Sequence, residues 1–181
     1  KKKIGEGRAR REEDEKGLTA WNGLMIASMP ESGRLLDAPQ LIAAAQKAYA
    51  FIVAELYQHR RLLHRWRDGD AAIAGMLSDH SFLAWGALEL YRCTQDIQYL
   101  DHACSLMDTV ITDFKNADGG FDMTSKHAET PLLRPSEFSD MALPSGNSVA
   151  LLVLTELARY TGLEAYQQAP QALHPPTSLT L

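Results

Sequence analysis

Residues 77–91 read LSDHSFLAWGALELY, and the fold follows from them. Ser78 stands at a helix start, and Phe82, Trp85, Leu88 and Tyr91 then recur three or four residues apart. That spacing draws one apolar stripe along a helix. A second stripe follows at once, through Ile97, Leu100, Ala103, Leu106, Met107, Val110 and Phe114. Two such stripes joined by a short polar link make a helical hairpin, each helix burying its stripe against the other.

The same unit recurs on both sides. Upstream, Thr19 opens a helix through Trp21, Leu24, Met25 and Ser28, which Pro30 and Gly33 are expected to end. Asp37 is the expected cap of its partner, with Pro39 in the first turn. That partner carries a stripe at Leu41, Ala45, Ala48, Tyr49, Ile52, Val53 and Leu56. Downstream, Ser145 opens a helix through Val149, Leu152, Val153, Leu157 and Tyr160, and Gly162 suits its C-terminal stop. Tyr166 to Leu173 then reads as the start of a paired helix. The expected caps Thr19, Ser78 and Ser145 are about 59 and 67 residues apart, a period that marks a repeat of helical hairpins. The fold class is therefore all-α.

Two long connections separate the hairpins. Residues 58–76 hold Leu62 to Arg67 before Asp68-Gly69, which reads as a strand and a turn. Residues 115–144 hold Asp118-Gly119-Gly120-Phe121 and then Leu132-Leu133-Arg134-Pro135, again a turn between extended pieces. Connections this long in a compact domain tend to be functional. Both lead into the first helix of a hairpin, so both are expected at one end of the bundle.

Composition sets the outer limits. The chain has 181 residues, 45% hydrophobic and 23% charged, with a net charge of −5. That is too apolar for a disordered chain. No apolar run approaches the ~18 residues of a membrane span. The acidic balance argues against nucleic acid as a partner. Cys93 and Cys104 form no disulfide framework and no zinc pattern, which suits a reducing, cytoplasmic setting. Residues 1–16 read as a charged arm, 17–173 as the helical domain and 174–181 as an irregular tail. The chain does not open on Met and reads as part of something longer.

Four segments together resemble a known family. They are LTAWNGLMI at 18–26, LHRWRDG at 63–69, DHSFLAWG at 79–86 and PSGNSVA at 144–150. In this order they are similar to those of the YyaL-like, spermatogenesis-associated thioredoxin-domain family. The resemblance covers roughly residues 14–166. It implies about half of an (α/α)6 toroid, like those of six-hairpin glycosidases and N-acylglucosamine 2-epimerases, with short β-hairpin loops. The family's thioredoxin-like part is not matched, so no redox activity is implied. A half ring also implies apolar inner-helix surface left for the rest of a parent chain or for self-association.

In such a toroid the pocket is expected where the long loops meet the N-termini of the inner helices. Trp21-Asn22, Asp79-His80 and Ser145-Gly146-Asn147 hold equivalent places there, one per hairpin. Each is also explained by a plainer role: caps for the hydroxyls, a favourable first-turn charge for Asp79, core packing for the tryptophans. His64 and Arg65 precede Asp68-Gly69 on the extended piece, and His64 with His80 near Asp79 would make an acid–base group, because imidazole titrates near neutral pH. Epimerases of the resembled superfamily use histidines so, whereas its glycosidases use carboxylates, for which Asp79, Glu137 and Asp140 are the candidates. The expected catalytic set is His64, Asp79 and His80. The expected sugar-binding set is Trp21, Asn22, Arg65, Trp66 and Asn147. Arg65 and Arg134 are also candidate anion clamps. His59, His102, His127 and His174 sit in loop, tail or outer-helix settings and are given no role. No metal, nucleotide or serine-hydrolase motif occurs, so no cofactor is expected. The competing expectation is a non-catalytic scaffold.

Overall fold

The computed structural model describes residues 17–59, 61–117, 119–128, 140 and 142–171, the last three of these by backbone alone. The charged arm, Arg134, Glu137, His174 and the tail lie outside the described residues.

Three helical hairpins form in chain order. They are α1 (Thr19–Leu35) with α2 (Pro39–Leu56), α3 (Leu77–Thr94) with α4 (Ile97–Asp113), and α5 (Gly146–Thr161) with α6 (Glu164–Gln171). The first helices pack side by side, α1 on α3 and α3 on α5, while each partner packs on the outside of its own hairpin. This makes an inner row of three helices backed by an outer row. The core lies between the rows, with Ile26, Tyr49, Ile52, Leu83, Leu88, Met107, Val110, Val153 and Leu157 all buried. The helix α3 is sandwiched by neighbours and is the most deeply buried element.

Close approach of α1 and α3 depends on two glycines from the quoted motifs. A Cβ on Gly23 would come within 2.8 Å of the Leu83 backbone nitrogen, and one on Gly86 within 2.9 Å of Ile26 Cγ2. Both leave no room for a larger side chain.

Between α2 and α3 lies a small antiparallel sheet. The strand β3 (Arg61–Arg67) is paired on one side to β4 (Asp70–Ala74), and also to β1 (Gly17–Leu18) and β2 (Tyr57–Gln58). Leu18 faces Arg65 and Ala72 faces Arg65 from the other edge. The turn at Asp68 and Gly69 has positive φ at both residues, 51° and 82°, the geometry of a tight hairpin. The expected turn after α4 also forms, with Asn116 N–H donating to Gly120 O and Lys115 bridged to Phe121.

Several expected helix ends are corrected. The helix α1 continues through Pro30 and Gly33 to Leu35. Pro30 removes only the backbone donor to Ile26 O, and the hydroxyls of Ser28 and Ser32 bond back to Met25 O and Ser28 O on the same helix. Gly33 sits against Ile42 and Leu41 of α2, where packing favours continuing the helix. Thr19 is not a cap: Leu18 holds that position, and Thr19 Oγ1 donates to Leu63 O at 2.6 Å because the β1–β3 pairing brings that carbonyl within reach. Asp37 is not a cap either, since α2 starts after Ala38 and Asp37 takes φ 50° in the tight link. Ser78 lies inside the first turn of α3, and Asp79 does the capping by accepting from Met76 N–H. Ser145 caps α5 through Ser148 N–H, Asp96 caps α4, and Gly162 ends α5 at φ 69°.

Candidate functional site

The site is assembled around one carboxylate. Asp79 is fully buried at the third position of α3. Its Oδ1 accepts from Ala20 N–H at 2.9 Å, and its Oδ2 accepts from Met76 N–H at 2.7 Å. Both oxygens also face His64 Nδ1, at 3.1 and 2.9 Å. One side chain thus joins the first turn of α1, the start of α3 and the middle of β3.

The consequence for His64 is chemical. A buried carboxylate accepts, so Nδ1 carries the proton and Nε2 is the other end of the ring. Among the described residues Nε2 has no hydrogen-bond partner. The hydrogen bond to Asp79 raises the His64 pKa above 6.5, against a smaller opposing effect of burial. The side chain is 23% exposed, so Nε2 belongs to a ring that solvent reaches.

His80 goes elsewhere. Its Nδ1 lies 2.9 Å from Met76 O, and its ring packs on Phe114 with centroids 5.0 Å apart. Burial pushes its pKa below 6.5, so the ring is neutral near pH 7. It lines a separate cleft of about 450 Å³, together with Arg61, Leu62, Asp113 and Phe114 but without His64 or Asp79. Neighbours in sequence, Asp79 and His80 therefore serve different places.

The expected sugar-binding residues also divide. Trp21, in the first turn of α1, is 67% exposed. Asn22 Nδ2 donates to Leu18 O, securing the helix start. Trp66 packs edge-on against Phe51 of α2, with ring centroids 5.3 Å apart. Trp66 shares the His64 face of β3 and Arg65 lies on the opposite face, by the strand alternation. Among the described residues, Arg65 Nε and Trp66 Nε1 are buried donors with no partner. Asn147 is buried, and its amide pairs with the Phe121 backbone in both directions, at 3.0 and 2.9 Å. It fastens the second long connection to α5. Asp140 Oδ1 accepts from Ser145 N–H and Ser148 Oγ, and these bonds hold its pKa below the usual value. Sequence reasoning missed Ala20 and Met76, whose backbone N–H groups carry no residue-type signal.

Among the described residues no group of three or more His, Cys, Asp or Glu is placed to hold a metal ion. No helix of the described residues is long and apolar enough to cross a membrane. Cys93 and Cys104 are both free thiols.

Paired inner and outer helices, with loops gathered at the inner N-termini, define a partial α/α toroid. Solved toroids share this arrangement. A cellobiose 2-epimerase from Spirochaeta thermophila superposes with a TM-score of 0.70 at 18% identity, covering 87% of this chain and 42% of that one. A cellobiose 2-epimerase from Bacillus thermoamylovorans gives 0.70 at 16% identity, over 87% and 43%. A family 76 mannosidase from Bacteroides thetaiotaomicron gives 0.64 at 15% identity, again over 87% and 43%. In sequence, the chain is 31% identical to mouse spermatogenesis-associated protein 20 and 32% identical to the human protein, over 162 residues in each case. No family model matches. The four motifs fall within this likeness to the spermatogenesis-associated proteins, and the chain spans about a fifth of the length of those relatives.

Proposed function

We propose that this domain binds a sugar at the inner-helix N-termini and that His64 moves a proton on it. The observation that carries the reading is the Asp79–His64 pair, with Nδ1 held by a buried carboxylate and Nε2 left without a partner. Such a histidine takes and returns protons near neutral pH. On an open-chain aldose it would remove the proton from the carbon beside the aldehyde. The electron pair moves onto the carbonyl oxygen, giving an enediol after protonation. Reprotonation of that carbon on the other face, by water or after the enediol turns its opposite face to His64, epimerises the sugar; protonation of the aldehyde carbon with loss of the neighbouring hydroxyl proton gives the ketose. Asp79 is the positioning residue, since it has no surface to offer a substrate. Exposed Trp21 supplies a ring for the apolar face of a sugar.

A glycosidase needs two carboxylates at the bond to be cleaved, one of them with a raised pKa. Asp79 is enclosed, and the Asp140 pKa is lowered. The proton-transfer reading is therefore preferred. The likeness to epimerases and mannosidases supports a sugar as ligand through fold alone. The scaffold reading draws on Asn147 and Asn22, whose amides are used by the fold itself. The deciding experiment follows reducing mono- and disaccharides in D2O by NMR with the full chain. Exchange at the carbon beside the aldehyde, lost in His64→Gln, supports proton transfer. Release of new reducing ends favours a glycosidase. No exchange and no binding of any sugar favours the scaffold.

A further inference from the structure

The cleft that takes His80 is separate from the His64 site, and its chemistry is different. Its floor is His80, 4% exposed, with Nδ1 committed to Met76 O and Nε2 without a partner among the described residues. Leu63 and Ala74 give it apolar walls, backed by the buried Leu62 and Phe114. Arg61 and His59 stand on one side, at the turn between β2 and β3, where His59 takes φ 50°. Neither forms an ion pair among the described residues. Asp113 also lines the cleft, and its Oδ1 already has Lys126 Nζ at 3.6 Å and His127 Nε2 at 3.5 Å. Asp113 thus has cations of its own, and among the described residues the Arg61 guanidinium has no carboxylate partner.

From these features we infer that the cleft is a second binding site, for a small phosphorylated sugar. The phosphate meets Arg61, whose guanidinium suits phosphate oxygens, and His59 beside it. A hydroxyl donates to the neutral His80 Nε2. The carbon face of the sugar lies on Leu63 and Ala74. At about 450 Å³ the cleft is within the size range of small-ligand pockets. The binding involves no covalent step and does not depend on the activity proposed for His64.

The test is calorimetric titration of the full chain with glucose 6-phosphate, inorganic phosphate and glucose, with NMR observation of the histidine rings. One equivalent of glucose 6-phosphate is expected to bind and to shift the His80 ring resonances, with phosphate competing. Arg61→Gln is expected to weaken binding at least about tenfold, the loss of one charged hydrogen bond. His59→Gln should weaken it less, and His64→Gln should leave it unchanged. Arg61 and His59 are exposed, so these variants keep the fold. The inference is overturned if glucose 6-phosphate does not bind, if it binds without moving His80, if Arg61→Gln binds as tightly as wild type, or if glucose binds as tightly as its phosphate. Loss of sugar exchange in His64→Gln with this binding intact separates the two sites.

Discussion

Asp79 holds His64 from inside the protein: the carboxylate has no exposed surface, while the imidazole it binds at 2.9 Å is partly open to solvent. The same carboxylate accepts Ala20 and Met76 N–H, so a catalytic feature and a structural joint share one side chain. Asp79→Asn turns an acceptor into a donor facing other donors. Breaking a buried charged pair costs about 3–5 kcal/mol, and urea unfolding should show a loss of that order. In the variant, NMR titration should find the His64 pKa moved down toward about 6.5. An unchanged His64 titration would show that Asp79 does not control it.

The two histidines give stability opposite pH dependences. His64 has a raised folded pKa, set first by its Asp79 hydrogen bond. Its contribution is full below the unfolded value of about 6.5 and is lost as pH rises through the folded value. His80 has a lowered folded pKa, set first by burial. Its contribution is full above about 6.5 and is lost as pH falls through the folded value. Denaturation midpoints measured from pH 5 to 8 should therefore fall on both sides. His64→Gln should flatten the alkaline side and His80→Gln the acid side, and a parallel offset of the whole curve in either variant would count against this assignment.

Gly23 and Gly86 set how closely α1 and α3 pack. Alanine favours a helix over glycine by about 0.8–1 kcal/mol, so Gly→Ala would stabilise an uncrowded position. Here the added methyl at Gly23 meets backbone atoms, and at Gly86 it meets mainly the Ile26 side chain. Both variants should lose stability, by about 1–3 kcal/mol, with Gly23→Ala the worse because backbone yields less than a side chain. Thermal melts of the two single variants give the order directly.

What was legible in the residues, and what was not, follows from which forces are local. Apolar stripes such as Phe82-Trp85-Leu88 repeat at helical spacing, so the hairpins could be read. The Asp68-Gly69 turn could be read because positive φ selects such residues. The parting of His64 from His80 could not: it depends on Asp79 accepting across 15 residues of chain and on Met76 O capturing the next ring. Pro30 misled for the same reason. Its local cost is plain, while the packing of Gly33 on α2 that favours continuing the helix is visible only in three dimensions. Motif glycines at 23 and 86 were recognisable as a pattern, but their reason is a contact between two helices.

Arg92 ties α3 to α5 across the inner row. Its Nη1 donates to Glu89 at 2.7 Å, its Nη2 to Glu156 at 2.6 Å and its Nε to the Tyr160 hydroxyl at 3.2 Å. Glu89 is nearly buried and, among the described residues, otherwise has only Trp85 Nε1. Arg92→Met leaves that carboxylate short of its main partner, at a cost of about 1.5–3 kcal/mol for a charged hydrogen bond. Adding Glu89→Gln removes the stranded charge and should restore part of the loss. A double variant less stable than Arg92→Met would show that Glu89 stabilises without Arg92.

The flank of α1 that faces away from α2 and α3 carries the largest exposed apolar groups of the inner row, with Trp21 67% and Met25 60% exposed one turn apart. On that flank no described helix covers them, whereas α3, one place further along the row, is covered on both sides. Burying two such side chains is worth about 1.5–3 kcal/mol each, enough to favour association when another copy of the chain offers the same face. Sedimentation velocity should find a concentration-dependent shift to larger species for the 181-residue chain. Trp21→Ser with Met25→Ser should abolish that shift and leave the melting midpoint of the monomer little changed, because neither side chain belongs to the core. A wild-type chain that sediments as a monomer at every concentration tested would show that this face does not drive association.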